Sequence, residues 1–232
     1  MTQIESNRPL RILQKVLNGG LGAGNIGVVV ARHGVGKLAV LTCITLDHAM
    51  QGRKTLHVAV GKSIEEVRAY DDEVLSEMIE RLGIPDRASM LTTVERNKQI
   101  YTFADGRFSS DRLRHTLEFL REHAEFEPEM IEIQGWPRFR DLGEDEMQGL
   151  KQVARDHACE IWLTAHRHRD DECDEQGVPV QVLRFADGIS VIMTLEPEGD
   201  KVPIRFVKVR EGEPPAGIKL EFDPKSMLIR WH

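Results

Sequence analysis

Cysteine is scarce in this sequence, with three in 232 residues: Cys43, Cys159 and Cys173. An odd number at unrelated spacings excludes a disulfide framework and fits no zinc pattern. Cys43 and Cys159 sit in apolar stretches and read as small core residues. Long apolar runs are also missing. No window approaches the roughly 18 apolar residues that a membrane-spanning helix needs. The first residues, MTQIESNRPL, hold no apolar stretch of the secretory-signal kind, so a cytoplasmic location is the expectation. Positive charge is not in excess either. Lys and Arg number 31 against 38 Asp and Glu, a formal net charge of −7. That balance gives no general pull toward nucleic acid or anionic membranes, and no Arg/Lys-aromatic stripe is evident. Neither partner is expected. What is present is 41% hydrophobic and 30% charged residues over a length sufficient for one sizeable α/β domain.

Residues 9 to 17 place apolar side chains at helical spacing and stop at Asn18-Gly19-Gly20. The glycine-rich NGGLGAGN then feeds IGVVVAR, a β-branched run typical of a strand covered on both faces. Residues 37 to 51 read as a largely apolar helix, and KTLHVAV (54–60) as a second strand. Ser63 with Glu66 is a capping box opening a helix to about residue 82. MLTTV (90–94) reads as a short strand and 97–108 as an irregular connection. Helices are expected from Ser110 and over 144–158, with strands at MIEI (130–133) and EIWLTAH (160–166). From residue 178 onward PVQVLRF, ISVIMTLE, VPIRFVKVR and IKLEFD read as β. The expected fold is α/β: a mostly parallel central sheet flanked by helices and extended by C-terminal antiparallel strands. It forms a single domain over 1–232, with a lead-in helix and loop (1–24), a parallel core (25–168) and a β-rich end (178–232).

ARHGVGKLAV (31–40) nearly matches the phosphate-binding pattern G-x-x-x-x-G-K-[ST], whose backbone N–H groups and lysine cradle phosphates at a helix start. Gly34, Gly36 and Lys37 are in place. Ala31 replaces the first glycine, where a side chain constrains the turn, and Leu38 replaces the hydroxyl residue.

The longer segment LQKVLNGGLGAGNIGVVVARHGVGKLAVL resembles the opening of RecA-fold ATPases of the KaiC, RadA and DnaB-helicase group. In register from Asn18 to Leu38 it carries their Gly-Gly-Leu turn, apolar strand and Arg-x-Gly-x-Gly-Lys loop. LRFADGISVIMTLE is similar to the group's strand with an Ala-Asp-Gly turn, IRFVKVRE to its Lys-x-Arg strand, and IWLTAHRHR to the strand that ends in a polar sensor residue. Residues 62–128 match in pattern only. The resemblance implies a RecA-like P-loop domain with ATP or ADP held by Arg32, His33, Gly34, Val35, Gly36, Lys37 and Leu38. It further implies a homo-oligomer, of ring type, in which Lys208 and Arg210 reach a neighbouring subunit's nucleotide.

Three groups that the chemistry needs are missing. Phosphoryl transfer is mostly positioning and charge neutralisation. Leu38 offers Mg²⁺ no oxygen. The position that the group fills with a magnesium-holding aspartate is Gln134, and a water-polarising glutamate after the second strand is replaced by Gly61 and Lys62. Glu132 shares a sheet face with Gln134 but lies roughly 6.5 Å deeper. The favoured reading is a pseudo-ATPase: a regulatory or scaffold protein that holds nucleotide or phosphate without efficient hydrolysis, with no catalytic residue, no bound metal and an unidentified protein partner. Two others stay open: an active ATPase whose magnesium sits on displaced carboxylates such as Asp141, and an interaction module with no nucleotide. His33 faces the phosphate position, and Trp136 and Phe139 are placed to line a pocket at the strand ends. HRHRDDECDE (166–175), with His166, His168 and Cys173, reads as a solvated loop rather than a metal site.

Overall fold

The computed structural model describes residues 8–199, 201–210, 212 and 219–231. Its centre is β1 (Ile26–Ala31), six residues all buried. Period-two alternation splits them between two apolar layers. Val29 and Ala31 face one core with Val40, Leu41 and Ile44. Ile26, Val28 and Val30 face the other with Leu113, Leu117 and Leu150. Strands covered on both faces read as continuous apolar runs, which is the pattern of IGVVVA.

The first layer holds α1 (Pro9–Val16), α2 (Lys37–Met50), α3 (Ile64–Arg81) and α4 (Arg87–Asn97). Proline opens α1, and its stripe of Ile12, Leu13 and Val16 is buried. From Ala39 to Met50 every residue of α2 is buried, so apolar side chains are needed all round it. Its polar residues are buried as well: Thr42, Thr45, Asp47, which pairs with Arg8 at 2.6 Å, and His48 in the last turn. The Ser63–Glu66 capping box opens α3 as the sequence indicates. The second layer holds α5 (Ser110–Ala124), with Ser109 as its N-cap, and α6 (Glu144–Asp156).

The described residues form one nine-stranded sheet in the order β3-β2-β4-β5-β1-β6-β7-β8-β9. Strands β2 (Thr55–Val60), β3 (Lys98–Phe103), β4 (Met130–Gln134), β5 (Glu160–His166) and β6 (Val191–Leu195) run parallel to β1. Strands β7 (Val202–Val209), β8 (Leu220–Asp223) and β9 (Leu228–Trp231) extend it antiparallel. The mostly parallel sheet with helices on both faces and an antiparallel end is therefore present.

Gly27 stands opposite Trp162 in the β1–β5 ladder. The indole lies against that glycine so closely that a Cβ there would meet ring carbons at 2.5 Å. Trp162, only 1% exposed, thus fills the space over β1.

Several sequence-based expectations are overturned. MLTTV is helical, inside α4: Asp86 caps that helix by accepting the Ser89 N–H at 2.9 Å. Thr92 and Thr93 turn their hydroxyls back to the carbonyls of Ala88 and Ser89, so the β-branched pair sits comfortably in a helix. The supposed irregular connection contains β3, an edge strand paired to β2 along its length. PVQVLRF is not a strand: Pro179 precedes a short helix, α7 (Val180–Leu183), followed by a 3₁₀ turn at Ala186–Gly188. β9 was not anticipated, and Ile218 of IKLEFD lies outside the described residues.

Candidate phosphate-binding loop and its surroundings

In this sheet order the loops after β1, β4 and β5 meet at the carboxyl ends of neighbouring strands, where α/β sheets gather their ligands. Ala31 is still part of β1, outside the left-handed region, so the missing first glycine costs the turn nothing. The left-handed positions are Gly34 (φ 77°) and Gly36 (φ 100°), where glycine is favoured. Gly36 is the N-cap of α2, and no side chain caps that end among the described residues. The first-turn N–H groups of a 14-residue helix therefore face the loop. Lys37 curls into it, donating to the carbonyls of Ala31 (3.0 Å) and Arg32 (2.9 Å). Burial holds its pKa below the ordinary lysine value. Arg32 and His33 are exposed, and Val35 and Leu38 half-buried.

Behind the loop the polar groups are tied up internally. Glu132 is fully buried and accepts from Thr42 (3.1 Å) and Thr45 (2.8 Å) on α2. It is anchored below the loop, as its depth along β4 requires. Gln134, at the end of β4, lies 3.2 Å from His57 Nε2, while His57 Nδ1 lies 3.3 Å from Asp71. Asp71 also pairs with Lys98. Burial pushes the Asp71 carboxyl up, but His57 and Lys98 outweigh it and hold the group below the usual carboxylate range. After β2, Gly61 is left-handed (φ 72°), and Lys62 lies 3.2 Å from Glu66 on the surface of α3. No carboxylate projects toward the loop from that turn among the described residues.

In front of the loop a cleft of about 280 Å³ is lined by Lys37, Trp136, Phe139, Thr164, His166 and His168, among others. A wider cleft of about 520 Å³ shares Trp136, Arg138 and Asp141 with it and reaches Phe108 and Ser109. Trp136 and Phe139 thus line the pocket assigned to them, and Trp136 stacks 4.7 Å from Phe108. His166 is the register partner of Ala31. Its ring lies 5.8 Å from His33 and 4.2 Å from His168, both edge-on. Asp171 is fully buried by side chain, accepts the His168 N–H at 2.7 Å and pairs with Arg140. Among the described residues no three His, Cys, Asp or Glu side chains converge in a way that could hold a metal ion.

No protein-family model matches the chain. No curated protein does either. Its functional reading rests on the geometry of this loop and cleft.

Lys208 and Arg210 are not brought to the loop of their own chain. Because β7 runs antiparallel, Val209 stands beside Val191, which pairs with Gly27 near the start of β1. That is the opposite end of the sheet from Ala31, roughly 13 Å away along the strand. Lys208 donates to the carbonyl of Ala186. Arg210 braces the lead-in loop, donating to Leu17 (3.2 Å), Gly20 (2.7 Å) and Leu21 (3.2 Å). The buried run Thr42–Thr45–Glu132–His57–Asp71–Lys98 escaped the sequence reading. Its signal was a set of polar residues at core positions, above all two threonines three apart on a largely apolar helix.

Proposed function

We propose that this chain is a RecA-like P-loop protein that holds the phosphates of ATP or ADP without efficient hydrolysis and works as a regulatory or scaffold subunit. One observation carries the reading. A phosphate loop with both left-handed glycines, a helix start with no side-chain cap and an inward lysine stands where Leu38, Gln134 and Gly61 offer no carboxylate and Glu132 is engaged by α2. The N–H groups of α2 and the Lys37 ammonium offer an anion a ready cradle, worth about 0.3–2 kcal/mol for the helix end alone. Hydrolysis also needs a held cation and an oriented water. Leu38 supplies no ligand, Gln134 faces His57, and Glu132 is engaged by α2.

Cytoplasmic residence and a homo-oligomer, with an as yet unidentified protein partner, belong to the same proposal. The order of the strands and the resemblance of the loop's flanks support the RecA-like assignment. A trans role for Lys208 and Arg210 requires a neighbouring subunit at the far end of the sheet, where Arg210 already braces its own chain.

Calorimetry with ATP and ADP, in Mg²⁺ and in a chelator, tests the reading beside a steady-state phosphate-release assay and light scattering. Binding without turnover, lost in Lys37→Ala, is the expected result. Magnesium-dependent turnover abolished by that substitution would overturn it and favour the displaced-carboxylate enzyme, for which Asp141 on the cleft wall is the nearest candidate. Absence of binding would favour the interaction module.

No helix among the described residues is long and apolar enough to cross a membrane.

A further inference from the structure

The two glycines and the lysine of the loop account for phosphate contacts, but His166 and His168 on the cleft wall, with His33 beside them, have had no chemical part in that account. His33 comes from the loop after β1, His166 from the end of β5 and His168 from the segment beyond it. The rings form a chain at 5.8 Å and 4.2 Å, with His166 in the middle and Lys37 on the same cleft wall. We propose that these histidines do the work of a divalent cation, so that the loop binds a metal-free polyphosphate and takes up protons as it does so. This rests on the phosphate-binding reading above and names its ligand form and its regulation.

Charged groups around the rings come from three segments. From the loop come Arg32, His33 and Lys37, and from the β4 loop Arg138, Arg140 and Asp141. The segment after β5 supplies Arg167, His168 and Asp171, with the neutral Gln181 from α7. Arg167 is engaged by Glu196 at 2.8 Å, and Arg140 by Asp171. Asp171 is the anion whose charge acts on His166, and it is already committed to Arg140 and to the His168 N–H. Two neighbouring imidazole rings and the Lys37 ammonium make a positive charge on His166 costly. Burial, then Lys37, His168 and His33, hold the His166 pKa below the ordinary histidine value. A polyphosphate seated on the loop reverses the local sign and favours the charged form of His166, with the rings on either side of it as hydrogen-bond donors to the anion. No redox or covalent step is involved: the only transfer is of protons from solvent to ring nitrogens.

The consequence is a binding constant that falls as pH rises. Linkage gives about tenfold weaker affinity per pH unit for each proton taken up, once pH exceeds the free histidine pKa. The test is calorimetry on the full chain at about pH 6 and about pH 8, with chelator or Mg²⁺, in two buffers of different ionisation enthalpy. Two probes are used, ATP and inorganic tripolyphosphate, to separate a nucleotide site from a bare polyphosphate site.

The expected result is binding in chelator, proton uptake near neutral pH and at least about tenfold weaker affinity at the higher pH. His166→Asn with His168→Asn should abolish most of the proton uptake and flatten the pH dependence. His33→Asn, at an exposed position, is the second variant should the pair disturb the fold. A requirement for Mg²⁺, affinity independent of pH, or a pH dependence unchanged by both sets of variants would overturn the proposal while leaving phosphate binding intact. Failure of both probes to bind at any pH would overturn the phosphate-binding reading itself.

Discussion

His48 offers the sharpest test of how this core is assembled. It sits in the last turn of α2, 1% exposed, with neither ring nitrogen bonded to another group among the described residues. Burial, aided by the Arg53 charge and opposed by Glu129, pushes its pKa down from 6.5 to about 4. The unfolded chain therefore binds a proton at this site that the folded chain refuses, and acid should unfold the protein through it. Between about pH 7 and pH 5 that difference amounts to about 2 kcal/mol, or roughly a thirtyfold change in the folding equilibrium. His48→Leu keeps a buried side chain of similar size and removes the titration. Urea unfolding of both proteins at the two pH values measures the effect directly. The wild type should lose about 2 kcal/mol more than the variant on acidification. Parallel losses would refute the argument, because carboxylates that also titrate in this range are shared by both proteins and cancel.

Gly27→Ala places a methyl group against the Trp162 ring and should destabilise by about 1–3 kcal/mol or more. Thermal melts would show it, with partial recovery on adding Trp162→Leu; an unchanged melting point would contradict the packing described. Asp71→Ala leaves the Lys98 ammonium, 6% exposed by side chain, without its carboxylate and should cost about 3–5 kcal/mol. Adding Lys98→Met should return most of that loss in denaturant titrations, and additive losses would count against a coupled pair. Arg210→Ala releases three carbonyls of the lead-in loop and should cost about 1 kcal/mol. Amide exchange within 17–21 should then speed up while exchange in β1 changes little.

The loop, the central strands and the capping box of α3 were legible because each is a local signal: glycine placement, continuous apolar runs and a cap three residues from its partner. The errors fell where tertiary context decided. Thr92 and Thr93 suggested a strand, yet the Asp86 cap and the back-bonded hydroxyls favour helix. β3 is an edge strand that carries Lys98, whose ammonium turns in to Asp71, and Gln99 beside its apolar residues, and that mixed pattern resembled a loop. Val180 and Val182 alternate as in a strand, but they follow a turn closed by Asp174 and Pro179 and form a single helical turn. At the site, the lack of a hydroxyl at Leu38 and of carboxylates at Gln134 and Gly61 was visible by position. That Gln134 faces His57, or that Arg210 holds the lead-in loop, depends on residues 77 and about 190 positions apart, a separation that no local pattern encodes.

The indole packed over Gly27 bears on the energetics of recognition. It couples β1 to β5 along a ladder that ends with Ala31 beside His166, so the start of the loop and the central histidine share one rigid frame. On the proposed reading, an anion arriving there would find these backbone positions already fixed by the ladder rather than gathered from a flexible ensemble. Little conformational entropy then has to be surrendered on association, and a small set of hydrogen bonds can yield a usable affinity.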